Sequence, residues 1–374
     1  MKKKLFRVAT VDIVFSNHIK GQLRFLSDYY KVVAVSNDNG GLKDVSINEG
    51  VDTIGISMKR EISILSDIKS LWALIRLFWK ERPYIVHSHT PKGSLLSMIA
   101  AWITGVPHRI YLVTGLRFET TSGLLRFILK TMERITCMCA TKVIPEGEGV
   151  KKTLIREKIT RKPLNKILNG NINGIDLNHF TKNEEVLSKA TSLRSEKFTF
   201  IYIGRIVKDK GVNELVRAFD KLSAQRNDVR LLLLGTFEDN LDPIDTKSRQ
   251  IIDSNVHIEY AGYQQDIRPY LASSDVLILP SYREGFPNVV IQAGAMDLPC
   301  IVTDINGCNE IIINGENGII IPKQDENALY EAMLVYLDNR EVYDRHSSKS
   351  RELVSSRYEQ QKVWQALLDM YQSL

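Results

Sequence analysis

Two loops in the second half of the chain place charged residues beside glycines, and each follows an apolar run. Residues 284–287 read Glu-Gly-Phe-Pro after the run 276–279, and residues 204–211 read Gly-Arg-Ile-Val-Lys-Asp-Lys-Gly after the run 199–203. Runs of this kind are typical of buried parallel strands. Basic side chains in such loops could bind a diphosphate, arginine through a bidentate fork and lysine as a point charge.

A helix is expected to begin after each loop. Residues 288–296 have helical spacing behind Pro287, and Gly285 permits close approach of the backbone. The amides around Asn288 and Val289 would then lie at the positive end of a helix dipole, where an anion binds. Behind the other loop, a helix is predicted from about Val212, with one face formed by Leu215, Val216, Phe219 and Leu222. An open α/β sheet binds its ligands at this carboxyl edge.

Together the two loops resemble those of retaining, nucleotide-sugar-dependent glycosyltransferases of the GT-B architecture, in particular glycosyltransferase family 4 (group 1). The resemblance covers nearly the whole chain and is strongest from about 198 to 322. It implies catalytic roles for Arg205, Lys210 and Glu284. It implies donor contacts for Gly204, Tyr263, Gly285, Phe286, Pro287, Asn288, Val289 and Gln292. In this family the position of Gln292 usually holds a glutamate that binds the ribose hydroxyls; glutamine keeps the hydrogen bonds but brings no charge.

The chemistry implied by the resemblance is sugar transfer with retention of anomeric configuration and without a metal or other cofactor. The nucleotide sugar, which we expect to be a UDP-sugar, is a substrate. Arg205, Lys210 and helix-end amides would stabilise the departing diphosphate. The sequence holds no Asp-x-Asp, in agreement with metal independence. No covalent nucleophile is identified, and Glu284 is expected to position donor hydroxyls.

The first half of the chain also alternates strands and helices, which predicts a parallel sheet covered on both faces. The expected fold is α/β, with two Rossmann-like domains facing across a cleft. We predict an acceptor-binding domain over 1–180, a nucleotide-sugar-binding domain over 181–357, and a helix over 358–374 that crosses back to the first domain. A last strand of the first domain is predicted at 166–170, a polar linker at 181–197 and an irregular charged segment ending at Arg357.

Four first-domain residues are candidates for the acceptor side of the cleft: Gly21, His89, Lys92 and Thr114. Gly21 would let the backbone approach a phosphate, while His89 and Lys92 follow a predicted strand at 85–88. We expect His87 to pack and His89 to face the cleft, so that the pair binds no metal jointly. Thr114 stands where many relatives carry histidine, so a catalytic histidine is not expected there.

Charge is divided unevenly along the 374 residues, whose net charge is +6. Residues 1–180 hold 28 Lys and Arg against 15 Asp and Glu, whereas 181–374 hold 22 against 29. Because no nucleic-acid module is present, the basic half is expected to meet a phosphorylated acceptor or an anionic membrane. The stretches 71–80 and 124–130 are compatible with interfacial helices or with ordinary core-facing helices.

No apolar run approaches the roughly 20 residues that span a bilayer. We do not expect a cleaved export signal, because Arg7 and Asp12 interrupt the apolar run that follows the first lysines. We therefore expect a cytoplasmic protein, with peripheral contact at the inner face of the membrane left open. The four cysteines have no metal-ligand spacing and are expected to be reduced and structural.

The predicted function is transfer of a hexose or N-acetylhexosamine-type sugar to a glycan or lipid-linked saccharide in surface polysaccharide (capsule or exopolysaccharide) biosynthesis. Two alternatives remain at this point. One is an isomerase that resembles UDP-N-acetylglucosamine 2-epimerase and shares the scaffold. The other is a catalytically silent nucleotide-sugar-binding partner, suggested by Gln292 and Thr114.

Overall fold

The structure is a computed structural model, and it describes residues 2–59, 61, 63–239 and 242–374. The strands are β1 (Lys4–Val11), β2 (Lys31–Asn37), β3 (Asp52–Gly55), β4 (Ile85–Ser88), β5 (His108–Val113), β6 (Lys142–Pro145), β7 (Phe198–Ile203), β8 (Val229–Leu234), β9 (Ile258–Gly262), β10 (Val276–Leu279), β11 (Cys300–Thr303) and β12 (Gly318–Ile321). The first seven α-helices are α1 (Gln22–Ser27), α2 (Leu42–Glu49), α3 (Ile64–Glu81), α4 (Pro91–Ile103), α5 (Gly123–Cys139), α6 (Glu148–Arg156) and α7 (Glu184–Leu193). The remaining α-helices are α8 (Val212–Ser223), α9 (Thr246–Ser254), α10 (Arg268–Ala272), α11 (Asn288–Ala295), α12 (Cys308–Ile311), α13 (Glu326–Asp338), α14 (Arg340–Tyr358) and α15 (Gln360–Gln372).

The chain divides into two compact units, each built on one parallel sheet of six strands. The first unit joins the residues up to Gly174 with Gln361–Leu374, and the second spans Ile175–Gln360. The first sheet has the order β3-β2-β1-β4-β5-β6, and the second repeats it as β9-β8-β7-β10-β11-β12. Both orders are the doubly wound arrangement of a Rossmann fold, in which the strand order reverses between the first and fourth strands of the sheet. The predicted α/β class with two Rossmann-like domains is confirmed.

Apolar faces of the helices bury the sheets, as the sequence periodicity predicts. In α8, Leu215, Val216, Phe219 and Leu222 are all 0% exposed. Full burial of one such side chain contributes about 1.5–3 kcal/mol. Residues of α15 enter the core of the first unit, where Val363, Leu367 and Tyr371 pack with residues of β1.

Three local predictions are wrong. Residues 166–170 form turns and no strand, because Leu168 has a positive φ of 45° and Gly170 a φ of 96°. The predicted linker contains α7, whose first turn is capped by the Asn183 side chain accepting from the Val186 amide at 3.0 Å. The segment before Arg357 is the regular helix α14, which buries His346, Ser350 and Val354 on one face.

Candidate functional site

The two loops of the second unit lie side by side at the carboxyl edge of its sheet. β7 and β10 are parallel neighbours, with Leu277 paired to Ile201, so the loops that follow them leave the same edge. They also flank the point at which the strand order reverses, where doubly wound sheets bind ligands. The predicted strand-to-helix turn at Glu284–Pro287 is confirmed, since β10 ends at Leu279 and α11 begins at Asn288.

Backbone contacts join the two loops directly. The Tyr282 amide donates to the carbonyl of Asp209 at 2.9 Å. Gly211 has a φ of +70°, and a Cβ there would overlap the carbonyl oxygen of Pro280. Glycine is therefore required at this position both for backbone conformation and for close approach of the loops.

Side chains from the two loops meet in the same place. Lys210 Nζ donates to the Glu284 carboxylate, with side-chain exposures of 19% and 14%. The Ser281 hydroxyl donates to the same carboxylate oxygen at 2.9 Å, which fixes the orientation of Glu284. An ion pair with this little exposure is screened less by water than a surface pair, and its two charges largely cancel, so an anion would have to displace Glu284 to meet the full charge of Lys210.

Arg205 belongs to the same loop after β7 as Lys210 but has a different carboxylate partner. Its side chain is 52% exposed and Nη1 donates to Glu238 Oε2 at 2.6 Å. Its carbonyl accepts from the hydroxyl of buried Tyr202 at 2.6 Å. Burial, and then the negative charge of Glu284, raise the pKa of Tyr202, so the phenol stays protonated and keeps donating.

The predicted donor residues around α11 differ in their burial. Phe286 is 6% exposed and packs edge-on against Tyr358, so its ring belongs to the core. Val289 also packs on that core, whereas Gln292 is half-buried on the same helix. A Cβ at Gly307 would lie 2.5 Å from the carbonyl oxygen of Gly285. The turn before α12 therefore packs directly against the backbone of the Glu284–Pro287 loop.

Two further predicted donor residues flank the loops. Gly204 directly follows β7, and its carbonyl lies against Gly235, which has a φ of +143°. Tyr263 follows β9 and is 66% exposed. The amino end of α11, next to Pro287, directs the positive end of its dipole toward this edge of the sheet.

The first-unit candidates do not form one cluster. Gly21 has a φ of +81° and lies under the indole of Trp364, so its lack of a side chain serves packing against α15. Lys92 donates to both carboxylate oxygens of Asp67, at 2.8 and 3.0 Å. Thr114 is half-buried after β5.

The predicted separation of the two histidines is wrong. Residues two apart on a strand point to the same side, and the rings of His87 and His89 stack with centroids 4.8 Å apart. His89 is 4% exposed, and its Nε2 accepts from Arg7 Nε at 3.0 Å. Burial and the neighbouring Arg7 hold the pKa of His89 well below its ordinary value, so the ring is neutral.

Two other features bear on the sequence predictions. Within the described part of the chain, no group of three or more His, Cys, Asp or Glu side chains could hold a metal ion. All four cysteines are free and buried, and burial raises the pKa of Cys137 to about 12, in agreement with inert structural thiols.

Sequence reasoning missed Tyr202, Glu238 and Glu133. No sequence pattern indicates Tyr202 or Glu238, because their contacts with Arg205 form only when the chain is folded. Glu133 did leave a signal, since it falls on the apolar side of an amphipathic helix, next to the buried Thr136 and Cys137. A carboxyl group in that position needs an explanation.

Comparison with known proteins identifies the family to which this chain belongs. Residues 197–339 match the family model described as glycosyl transferases group 1, and residues 7–146 match the model described as glycosyl transferase 4-like. The chain is 35% identical over 372 residues to the capsular polysaccharide biosynthesis glycosyltransferase CapM of Staphylococcus aureus, covering 99% of this chain and 97% of that protein. The chain therefore belongs to the group 1 glycosyltransferases of the GT-B class, and it is a glycosyltransferase.

More distant relatives extend the comparison. The UDP-Gal:alpha-D-GlcNAc-diphosphoundecaprenol alpha-1,3-galactosyltransferase of Escherichia coli is 27% identical over 358 residues, covering 92% of this chain and 89% of that protein. The crystal structure of Anabaena Alr3699/HepE in complex with UDP and glucose superposes with a TM-score of 0.82 at 16% identity and covers both chains completely, which shows the shared fold. The epimerase and silent-partner alternatives are not favoured, because these full-length relatives are transferases.

Proposed function

We propose that this glycosyltransferase transfers a sugar from a UDP-type donor to a lipid-linked saccharide during surface polysaccharide biosynthesis, with retention of configuration and without a metal ion. The observation that carries the proposal is the joining of the two loops at the switch point of the second sheet. There Lys210, Arg205 and the amino end of α11 belong to the same edge of the sheet, and the two cations would become available to an anion by leaving Glu284 and Glu238. A diphosphate is the part of a nucleotide sugar that such a region would bind.

In this proposal the ion pairs exchange partners when the donor binds. Lys210 and Arg205 are held by Glu284 and Glu238 in the structure, and the diphosphate would replace one or both carboxylates. Glu284, kept in place by Ser281, would then accept hydrogen bonds from donor hydroxyls. As the bond between the anomeric carbon and the diphosphate breaks, the two cations would stabilise the negative charge on the departing oxygen.

The acceptor assignment draws on the relatives and on the basic first half. The Escherichia coli relative acts on a diphosphoundecaprenol-linked sugar, and a Campylobacter jejuni relative is named N,N'-diacetylbacillosaminyl-diphospho-undecaprenol alpha-1,3-N-acetylgalactosaminyltransferase. The second relative is 24% identical over 315 residues and covers 81% of each chain. An acceptor of this kind combines a long apolar chain with a diphosphate.

The surface of α3 fits contact with an anionic membrane. An exposed stripe runs through Leu65, Ile68, Trp72 and Trp79, which are 79%, 49%, 67% and 69% exposed. Exposed Arg76 and Lys80 lie on the same helix. Aromatic and aliphatic groups beside basic residues suit the boundary between lipid headgroups and acyl chains. No helix in the described ranges is both long and apolar enough to cross a bilayer.

Three assays test these parts separately. Nucleotide release from a panel of nucleotide sugars, with a diphospholipid-linked saccharide as acceptor, should identify one donor, and Lys210→Ala should abolish turnover while the loop neighbour Lys208→Ala retains it. Turnover should survive chelation of divalent ions; its loss would contradict metal independence.

Flotation with anionic liposomes should weaken with added salt and with Trp72→Ala/Trp79→Ala, and salt-insensitive flotation would contradict the membrane contact.

A further inference from the structure

A cavity of about 320 Å³ lies in the first unit at the switch point of its own sheet. Thr10 and Val11 at the end of β1, and Thr90 and Lys92 after β4, line one side of it. β1 and β4 are the neighbouring strands between which the order of the first sheet reverses. The cavity therefore occupies in the first unit the position that the two loops occupy in the second, and such positions bind ligands in doubly wound sheets.

One wall of the cavity presents hydroxyl groups held in fixed positions. The Thr10 and Thr90 hydroxyl oxygens are 2.6 Å apart. The Gly93 amide donates to the Thr10 hydroxyl at 3.0 Å, and the Thr10 amide donates to the Thr90 hydroxyl at 2.8 Å. A Cβ at Gly93 would lie 2.7 Å from the Thr90 hydroxyl, so only glycine lets α4 approach β1 this closely.

The opposite wall contains a buried carboxyl group without a cationic partner in the described residues. Glu133 of α5 is 8% exposed, and its Oε2 accepts from the Tyr111 hydroxyl at 2.7 Å. Burial raises the pKa of Glu133 to about 7, against a lowering by the Tyr111 hydrogen bond. Because the Tyr111 hydroxyl donates to Oε2, the other carboxyl oxygen of Glu133, Oε1, has no protein donor within the described ranges. A carboxyl group that is partly protonated near neutral pH can both donate to and accept from a ligand.

The remaining walls are apolar, and cations stand at their edge. Phe118, Leu129 and Met132 line the cavity, together with exposed Arg117. The guanidinium of Arg126 lies 5.9 Å from the centroid of the Phe118 ring. A sugar ring suits this lining, because its CH face packs on apolar and aromatic side chains while its hydroxyls bind fixed polar groups. Arg117 suits an attached phosphate, whereas Arg126 is paired with Glu157 at 3.1 Å and would have to exchange that partner to bind one.

The outer face of α5 continues the apolar character away from the cavity. Leu124 and Phe127 are 74% and 64% exposed on the helix that also provides Leu129, Met132 and Glu133. One helix thus combines exposed apolar residues for a hydrocarbon chain with an inner face that lines a polar cavity. A ligand with a lipid chain, a phosphate and a sugar matches these three features in order.

We propose that this cavity binds the sugar and adjoining diphosphate of a lipid-linked acceptor, and that Glu133 is a specificity-determining residue which hydrogen-bonds that sugar. The assignment rests on the proposed function, since it names where the acceptor of that transfer binds. Met132 is half-buried and lines the cavity, whereas Met138 lies on the same helix, is 70% exposed and does not line it. The two positions therefore form a matched pair for substitution.

Direct binding of two probes, measured by calorimetry, tests the proposal. The first probe is N-acetylglucosamine diphosphate esterified to a ten-carbon prenyl alcohol, and the second is the same prenyl diphosphate without the sugar. The native chain should bind the first probe more tightly. Met132→Trp should weaken that binding at least about tenfold by filling the cavity, while Met138→Trp leaves it unchanged. Glu133→Gln should reduce the advantage of the sugar-bearing probe and leave the sugar-free probe unaffected.

The outcomes separate this proposal from the proposed function. UDP titration of every variant reports the fold and the donor loops of the second unit, so failure of the native chain to bind UDP would refute the proposed function. If UDP binds normally, two results would overturn the cavity assignment: no binding of the sugar-bearing probe to the native chain, or native-like binding by Met132→Trp. Equal loss for both probes in Glu133→Gln would overturn the role of Glu133 in recognising the sugar.

Discussion

Gly211→Ala is the substitution whose effect the contact between the two loops determines most directly. Gly211 has a φ of +70°, and a Cβ there would overlap the Pro280 carbonyl oxygen, which is backbone and cannot rotate away. Gly315 is the matched control, with a φ of +80° and nothing within 4 Å of its Cβ. Both substitutions place alanine in the left-handed region, which costs about 1 kcal/mol.

Only Gly211→Ala adds a steric clash, which costs a further 1–3 kcal/mol, on the order of an overpacked core site. The expected loss of unfolding free energy is therefore about 2–4 kcal/mol for Gly211→Ala and about 1 kcal/mol for Gly315→Ala. Because the clash separates residue 211 from Pro280, it should also move Lys210 from Glu284 and weaken UDP binding. Urea unfolding and UDP calorimetry on both variants measure these effects. Equal destabilisation by the two alanines, with unchanged UDP affinity, would refute the close approach of the loops.

Three other substitutions give distinct outcomes. Burial raises the pKa of Glu133 to about 7 in the folded chain, against an ordinary 4.5, so the folded state keeps the proton longer and the free energy of unfolding should fall by up to about 3 kcal/mol as pH rises from 4.5 to 7. Glu133→Gln should remove that fall in urea unfolding measured across this pH range, and an unchanged pH dependence would contradict the buried acid. Gln292→Glu should preserve or tighten UDP binding by calorimetry, and loss of binding would count against a ribose contact. Glu238→Gln should free Arg205 and strengthen UDP binding several-fold, on the order of one surface ion pair; weaker binding would mean that Glu238 orients Arg205 instead.

Sequence patterns predicted the parts of the fold that follow from periodicity. The apolar runs at 199–203 and 276–279 and the spacing of Leu215, Val216 and Phe219 were sufficient to predict β7, β10 and α8. The strand order was not accessible in this way, because no pattern states which strands are neighbours. That order is what brings the two loops to one switch point.

The errors have local physical causes. The predicted linker is polar because α7 buries only Val186 and Ala190, so its apolar face is too narrow to dominate the sequence. Helix α14 has few apolar residues for the same reason, and much of its buried face consists of His346 and Ser350. The pairing of Lys92 with Asp67 and the burial of His89 by Arg7 depend on contacts between segments far apart in sequence, which residue types alone do not reveal.

The central claim is that Arg205 and Lys210 bind the diphosphate of the donor, and calorimetric titration with UDP and with uridine tests it most directly. The native chain should bind UDP more tightly than uridine by on the order of 100-fold or more, as two charge-assisted contacts imply. The double variant Arg205→Ala/Lys210→Ala should lose most of that difference, while Lys208→Ala keeps it. A double variant that still prefers UDP over uridine to the native extent would contradict the account.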